Sequence, residues 1–121
     1  MNLKSTHHIA IFTQNMATLE KFYTETLGFP VVKRWDDVNI IFIDIGSTTI
    51  ELIGRAEAPA PESTPGAINH IALLVESVDE GYQELVEKGV RIKSEPRDFK
   101  DVRNCFFYDP DGNSIELFEE K

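Results

Sequence analysis

Apolar and polar positions along the first half of the chain predict a strand, a helix and three further strands. Residues 6–13 alternate in polarity, as a half-buried strand does, and residues 16–27 carry apolar side chains near the 3.6-residue spacing of a helix. Gly28 follows at the position where a helix commonly ends. Three extended runs complete this half: residues 30–36, 38–45 and 48–54.

The second half of the chain repeats this order of elements. Residues 68–75 alternate as a strand, and Ser77 with Glu80 forms a capping box at the start of a helix that runs to about Lys88. Three more extended runs follow: residues 91–99, 102–108 and 114–119. The pattern therefore predicts an α+β protein with two similar halves, which pack as a pseudo-symmetric pair.

The break between the two halves is predicted at residues 56–66. This stretch contains three prolines, which disfavour both a helix and a central strand. A chain of 121 residues is short enough for one compact domain. We therefore predict a single domain over residues 1–121, made of modules 5–55 and 67–120 that are joined by this proline-rich linker.

Charge, cysteine content and the length of apolar runs limit the partners and the cellular location that the sequence predicts. The net charge of −9 and the pI of about 4.7 argue against nucleic acid and against anionic membrane surfaces as partners. Cys105 is the single cysteine and lies in an apolar run, so we interpret it as a buried hydrophobic residue. No apolar run approaches the ~20 residues of a membrane span, and a cytoplasmic location is expected.

A histidine and a glutamate recur at matching places in the two halves. His8 opens the first strand and is followed 43 positions later by Glu51, while His70 opens the strand of the second half and is followed 46 positions later by Glu116. The local sequences also repeat, as His-Ile-Ala and as Ile-Glu-Leu. Two histidines and two glutamates that converge on one place would form a divalent-metal site.

Strand alternation predicts that each of these four side chains lies on the sheet face that points away from the helix. Each is flanked by branched aliphatic residues, which suit the face packed on a helix, so the His or Glu points to the opposite face. A carboxylate between apolar neighbours is unfavourable unless it is paired, solvated or bound to a metal. Nitrogen and oxygen donors together suit Ni, Mn, Fe, Co or Zn. A lone histidine on a sheet is more often a hydrogen-bonded residue than a ligand, so the metal prediction rests on the doubled His/Glu set. His7 falls on the other face as a bystander.

Several local motifs together resemble the vicinal oxygen chelate superfamily, which includes glyoxalase I, methylmalonyl-CoA epimerase, extradiol dioxygenases and the fosfomycin and bleomycin resistance proteins. The resemblance covers essentially the whole chain. These motifs carry it: His8-Ile9-Ala10-Ile11, Phe22-Tyr23 with Leu27-Gly28-Phe29, Ile50-Glu51-Leu52, His70-Ile71-Ala72, and Asp109-Pro110-Asp111-Gly112-Asn113-Ser114-Ile115-Glu116-Leu117.

The resemblance implies two βαβββ modules that form a cupped mixed sheet around a metal ion. It also implies the ligand pattern of bacterial glyoxalase I, which falls on His8, Glu51, His70 and Glu116. In such enzymes the metal holds two neighbouring substrate oxygens and stabilises an enediolate, while a metal-bound glutamate moves the proton. Glu116 is the predicted base, with Glu51 opposite it. The expected activity is that of a lyase or isomerase acting on a small α-hydroxy carbonyl compound, a thiol hemithioacetal included.

Other activities within the superfamily remain open from the sequence. Glyoxalase I has Arg and Asn where this chain has Phe12 and Arg55, so the sequence leaves the thiol undefined, as it does the native metal. A dioxygenase, an epimerase or a non-catalytic binding or resistance protein are the alternatives. A homodimer is expected, with the metal site formed within one chain or across two.

Two further groups of side chains are candidates for the substrate pocket. The aromatic candidates, most of which we expect to belong to the core, are Phe12, Trp35, Phe42 and Phe107. The arginines that could bind a substrate carboxylate are Arg34, Arg97 and Arg103.

Overall fold

The computed structural model describes residues 1–2, 4–57, 68 and 70–121. The chain divides into two compact units, Met1–Ala60 and Pro61–Lys121. Only the first two residues of the predicted linker 56–66 are described, so that segment and the module boundaries remain predictions. None of the helices within the described ranges is long and apolar enough to cross a membrane.

The first unit consists of one helical segment and four strands. Its helix α1 covers Met16–Lys21 and continues as a π-helical turn over Phe22–Thr26. A positive φ of 84° at Gly28 follows that turn, a conformation that favours glycine. The strands are β1 (His8–Thr13), β2 (Val31–Trp35), β3 (Ile40–Asp44) and β4 (Thr49–Gly54), with a 3₁₀ turn at Asp36–Val38.

The second unit repeats this order. Helix α2 spans Val78–Glu87 and begins at Ser77, whose hydroxyl accepts a hydrogen bond of 3.2 Å from the Glu80 amide. The predicted N-terminal cap is thereby confirmed. The strands are β5 (Ile71–Leu74), β6 (Ile92–Phe99), β7 (Val102–Tyr108) and β8 (Ser114–Glu120). The predicted α+β fold with two βαβββ modules is confirmed.

Both sheets have the same topology. The strand orders are β1-β4-β3-β2 and β5-β8-β7-β6, and the first and last strands of each module pair in parallel at one side. The other neighbours are antiparallel. In each unit the strand that begins near a candidate histidine therefore lies beside the strand that carries the candidate glutamate.

One face of each sheet packs on the helix of its unit. In the first unit Leu19 and Tyr23 are buried with the inward aliphatic side chains of the sheet: Ile41, Ile43, Ile50 and Leu52. In the second unit Val78 and Leu85 are buried with the corresponding set: Cys105, Phe107, Ile115 and Leu117. Burial raises the pKa of the Cys105 thiol to about 11 and confirms that this cysteine is a core residue rather than a thiolate. The opposite faces of both sheets carry the candidate ligands.

Gly81 brings α2 close to the strand that carries Glu116. Glycine inside a helix is unfavourable by about 1 kcal/mol relative to alanine. A Cβ at this position would lie 2.7 Å from Cδ1 of Leu117, closer than real Cβ atoms approach other atoms. Glycine therefore lets α2 pack closely on β8, and a larger residue would require the end of the Leu117 side chain to shift.

Candidate metal centre

The first unit brings His8 and Glu51 together. The two residues lie on the adjacent parallel strands β1 and β4, where His8 is opposite Thr49 and Glu51 is opposite Ala10. His8 Nε2 and Glu51 Oε1 are 3.5 Å apart. The imidazole is 38% exposed and the carboxylate 13%, so the pair is open to a ligand on the side away from the helix.

The second unit brings His70 and Glu116 together in the same way. His70 directly precedes β5, and Glu116 lies on the adjacent strand β8, opposite Ala72. His70 Nε2 is 3.3 Å from Glu116 Oε1, and the carboxylate is only 9% exposed. The two halves therefore repeat the same pair of donor atoms as well as the same fold.

A phenylalanine contacts each of these histidines edge to face. The ring centroids of His8 and Phe42 are 5.7 Å apart, and those of His70 and Phe106 are 5.4 Å apart, with interplanar angles of 86° and 87°. Phe42 pairs with Glu51 across the sheet, and Phe106 pairs with Glu116. Each candidate metal pair therefore has an aromatic wall that restricts the orientation of its imidazole.

The aromatic pocket residues were only partly predicted. Phe42 lies at the site as expected, and Trp35 contacts it with ring centroids 5.3 Å apart. Phe107 is 0% exposed and belongs to the core, as was expected for most of these candidates. Its neighbour Phe106 takes the position at the site. Phe12 lies on the same face as His8 and is 52% exposed.

His7 is a neighbour of the site rather than a bystander. Its Nδ1 lies 2.8 Å from His8 Nδ1, so one of the two rings donates a hydrogen bond to the other. Histidines that bind metals through one ring nitrogen usually hold the other nitrogen in such a bond. The His8 ring is thus oriented by His7 on one side and by Phe42 on another.

Asn104 distinguishes Glu116 from Glu51. Its Nδ2 donates a hydrogen bond of 2.8 Å to Glu116 Oε2, and both residues are buried. Its Oδ1 is buried without a partner among the described residues. Asn104 pairs with Phe118 on β8, and the corresponding position in the first unit, opposite Ile53 on β4, is Ile40. Glu116 is therefore fixed by an amide at the place where Glu51 has an aliphatic neighbour.

The donor atoms within each pair fit two adjacent positions on one divalent ion. Ligand distances of about 2.1 Å place neighbouring donors about 3.0 Å apart in octahedral and about 3.4 Å apart in tetrahedral geometry. The observed separations of 3.5 and 3.3 Å are close to this range and longer than an ordinary N–H···O bond of about 2.9 Å. Among the described residues, no group of three or more His, Cys, Asp or Glu side chains that could hold a metal is present. Each unit brings together one imidazole and one carboxylate.

Two of the three candidate arginines form ion pairs with carboxylates other than the candidate ligands. Arg34 contacts Glu20 at 2.6 Å, and the hydrogen bond raises the pKa of the guanidinium. Arg103 contacts Asp79 at 2.9 Å and Asp98 at 3.1 Å, and its pKa is also raised by these hydrogen bonds. Arg97 is exposed on β6 and stays a candidate.

The chain belongs to the glyoxalase/bleomycin resistance protein/dioxygenase superfamily, whose family model matches residues 5–117. The resemblance inferred from the sequence motifs is thereby confirmed. The structure of a glyoxalase family protein from Enterococcus faecalis superimposes with a TM-score of 0.83 at 33% identity, covering 98% of this chain and 100% of that one.

The chain is also similar in sequence to two bacterial proteins whose names do not point to one reaction. The uncharacterized protein YwkD of Bacillus subtilis is 36% identical over 99% of this chain and 100% of its own length. The metallothiol transferase FosB of Staphylococcus epidermidis is 32% identical over 97% of this chain and 82% of its own length. These similarities establish the superfamily and leave the reaction to be inferred from the site.

Proposed function

We propose that this protein is a divalent-metal-dependent lyase or isomerase of the glyoxalase I type. Its substrate would be a small α-hydroxy carbonyl compound, such as the hemithioacetal of an aldehyde and a thiol. The observation that carries the proposal is the repeated donor pair, an imidazole Nε2 and a carboxylate Oε1 at 3.5 Å in one unit and 3.3 Å in the other. A single pair would be an ordinary surface contact, whereas its duplication supports a shared ligand set.

The proposed ligands are His8, Glu51, His70 and Glu116. The described residues bring together two of these donors in each unit. One ion would therefore need a pair from the first unit and a pair from the second, either of one chain or of two copies. Nitrogen and oxygen donors suit Ni, Zn, Mn, Fe or Co. Two carboxylates would balance the charge of a 2+ ion, and four protein ligands leave room for substrate oxygens.

The proton would be moved by Glu116, with Glu51 facing it from the other pair. A carboxylate near the carbon next to a carbonyl works as a general base and can return the proton to the neighbouring carbon. Asn104 holds Oε2 of Glu116, so Oε1 is the oxygen directed towards His70. When bound, a divalent cation would stabilise the negative charge that develops on the substrate oxygens.

Metal analysis tests the ligand set first. Protein purified from unsupplemented cells should contain a transition metal, and His8→Ala and His70→Ala should each reduce its content. Turnover is then measured with methylglyoxal and several thiols, glutathione included, after loading with Ni, Zn, Mn, Fe or Co. A protein that retains none of these metals, or that turns over no thiol adduct with any of them, would contradict the proposal.

The variant Glu116→Gln tests the role of the base. When loaded with excess metal it should still hold the ion, through its amide oxygen and the other three ligands, and should lose about 100-fold or more in turnover, since general base catalysis contributes roughly 10²–10⁴-fold. Glu120→Gln is the matched control, because it makes the same change at an exposed position of the same strand. Wild-type turnover in Glu116→Gln would assign the proton transfer to another group.

Similarity to FosB favours thiol transfer as a second candidate function. The identity of 32% over 97% of the chain is higher than the 29% to Glyoxylase I 4 of Arabidopsis thaliana over the same share of the chain. A thiol added to an electrophilic small molecule, such as fosfomycin, would be the reaction, with the same four residues as metal ligands. Incubation of the metal-loaded protein with a thiol and fosfomycin, followed by mass spectrometry of the adduct, separates this candidate from isomerisation.

We also propose that the protein acts as a homodimer in the cytoplasm. Large apolar side chains are exposed on the sheet faces that carry the candidate ligands, among them Phe12 at 52% and Leu74 at 69%. Exposed apolar groups of this size commonly mark an interaction surface. Light scattering at micromolar concentration tests the dimer, and Leu74→Lys should shift it to a monomer.

A further inference from the structure

Lys33 lies on the face of the first sheet that carries His8 and Glu51, because its strand β2 is irregular at this point. Val31 pairs with Ile43, a core residue, whereas Lys33 pairs with Phe42 on the face that carries His8 and Glu51. A β-bulge between Val31 and Lys33 allows this change of face, because regular alternation would place both on one side. The lysine is thereby brought to the ligand side of the sheet.

The same bulge in the second unit brings a different residue to this position. Ile92 pairs with Phe107 and Ser94 pairs with Phe106, so Ser94 corresponds to Lys33. Its hydroxyl accepts a hydrogen bond of 3.2 Å from the Phe106 amide and is used within the sheet. The second unit has its own ammonium group near this face, because Lys93 Nζ lies 5.6 Å from the Phe106 ring centroid, but it is hydrogen-bonded at 3.4 Å to the Ser114 hydroxyl.

Lys33 lies in register with the candidate metal pair. Phe42 separates it from Glu51 in one row across the sheet, so their Cα atoms are about 10 Å apart. Among the described residues Lys33 forms no salt bridge, and its recorded contact is with the Trp35 ring, 4.6 Å from Nζ to the centroid. In a chain of net charge −9, this leaves an ammonium group free to bind an anion beside the proposed reaction centre.

A cavity of about 440 Å³ opens beside this ammonium group. Ligand pockets commonly enclose roughly 300–1,000 Å³. Its wall includes Lys33 together with Phe42 and His7, both of which contact His8. The carboxylate of Asp44 also lines it and accepts a hydrogen bond of 2.8 Å from the Gly46 amide. The cavity thus extends from the edge of the candidate metal pair to the lysine.

The Thr48 hydroxyl gives an independent sign of a missing polar partner. It lines the same cavity and is buried without a hydrogen-bond partner among the described residues. A buried hydroxyl without a partner is unfavourable, and an absent ligand is one common explanation. An anionic oxygen held by Lys33 would provide an acceptor for this donor.

We propose that Lys33 and Thr48 form an anion subsite, and that the substrate carries a carboxylate or phosphate group at the end away from its reacting carbons. This inference rests on the proposed function for the statement of which substrate carbons react. Neutral aldehydes such as methylglyoxal would then be accepted only when the thiol joined to them supplies the anionic group. The subsite itself requires only the cavity, the free ammonium group and the hydroxyl.

Trp35 provides a direct readout because it is the single tryptophan of the chain and lies under the Lys33 ammonium group. Protein stripped of metal with a chelator is titrated with lactate, inorganic phosphate and uncharged dihydroxyacetone, and Trp35 fluorescence is followed. A saturable change is expected with lactate or phosphate and none with dihydroxyacetone. Lactate alone would indicate a carboxylate, and phosphate alone a phosphate ester. The same response to dihydroxyacetone, or none to either anion, would overturn the proposal.

Variants assign the response to the subsite. Lys33→Met should weaken anion binding about tenfold or more, because a charge-assisted hydrogen bond is lost, and Lys33→Arg should retain it. Lys21→Met, which removes an exposed lysine from α1, is the matched control and should bind as wild type. Equilibrium dialysis with labelled anion repeats the comparison, because Lys33→Met also changes the surroundings of Trp35. Unchanged binding in Lys33→Met would overturn the proposal.

Metal content separates this inference from the proposed function. Lys33→Met should contain as much metal as the wild type. Loss of anion binding with normal metal content is the result expected for a separate subsite. An anion response in a protein that binds no metal would reject the proposed function while supporting the subsite, whereas metal binding without any anion response would reject the subsite alone.

Discussion

Asn104 donates a hydrogen bond of 2.8 Å to Glu116 and thereby fixes one oxygen of a buried carboxylate. The corresponding residue of the first unit is Ile40, which has no polar group to offer Glu51. The two halves therefore hold their glutamates differently, although their backbones and donor pairs repeat. A carboxylate with one oxygen held in place loses less freedom when it binds a ligand through the other oxygen.

Replacement of Asn104 tests this contact. Asn104→Leu leaves Oε2 of Glu116 buried without its donor, so the free energy of unfolding should fall by about 1–3 kcal/mol. Metal affinity, measured by competition with a chelator, should fall about 10–100-fold, as is common when a ligand loses its supporting hydrogen bond. Ile40→Leu is the control at the corresponding position and should change neither quantity appreciably. Wild-type metal affinity in Asn104→Leu would mean that the amide does not support the ligand.

The two phenylalanines that contact the histidines should be equivalent in effect. Phe42→Leu and Phe106→Leu each remove an edge-to-face contact worth about 0.5–1.5 kcal/mol, so each should weaken metal binding about 2–10-fold. Phe99→Leu is the matched control, because that ring is 56% exposed and lies on β6, at the opposite edge of its sheet from the strand that follows His70. An equal effect of Phe99→Leu would point to a general loss of stability instead.

The faces of several strands were predictable because alternation encodes them directly. On β1 and β8 the branched aliphatic residues mark the helix side, so the pattern alone put His8 and Glu116 on the other side. The aliphatic neighbours of Glu51 and His70 allowed the same inference for those two residues. Local sequence was sufficient here because strand alternation does not depend on the partner strand.

Other site residues depend on pairing or on irregular backbone that the local pattern does not encode. The run Cys105–Tyr108 is apolar throughout, so no alternation shows that Phe106 faces the site and Phe107 the core. Asn104 could be found only from the register of β7 against β8. Lys33 follows a bulge that reverses the expected face, and nothing in its sequence marks that bulge.

Gly81 should be difficult to replace despite its position inside a helix. Gly81→Ala gains about 1 kcal/mol of helix propensity, but the added methyl group conflicts with Leu117, and overpacking of a core costs about 1–3 kcal/mol. The net result should be a lower melting temperature. The double variant Gly81→Ala/Leu117→Ala should show a favourable coupling energy, because the shorter side chain makes room for the methyl group. If the changes in free energy of unfolding of the two single variants were simply additive, the two positions would not be in steric conflict.

The ion pairs of Arg103 should make stability depend on pH in acid. The hydrogen bond from Arg103 lowers the pKa of Asp79, and those from Lys121 and then Arg103 lower the pKa of Asp98, both from an ordinary value of 3.8. Because folding lowers these pKa values, the unfolded chain takes up protons first as the pH falls. The stabilisation is therefore complete above the ordinary value and is lost below it.

Arg103→Met should show this directly in urea unfolding. The difference in free energy of unfolding between wild type and Arg103→Met should be largest above about pH 5 and should shrink as the pH falls below 3.8, the ordinary pKa of the two carboxylates. Arg97→Met is the control, because that arginine lies on the neighbouring strand and has no ion pair recorded among the described residues. Its difference from wild type should not vary with pH. A constant difference for Arg103→Met across this range would mean that its carboxylate partners contribute nothing to the stability of the fold.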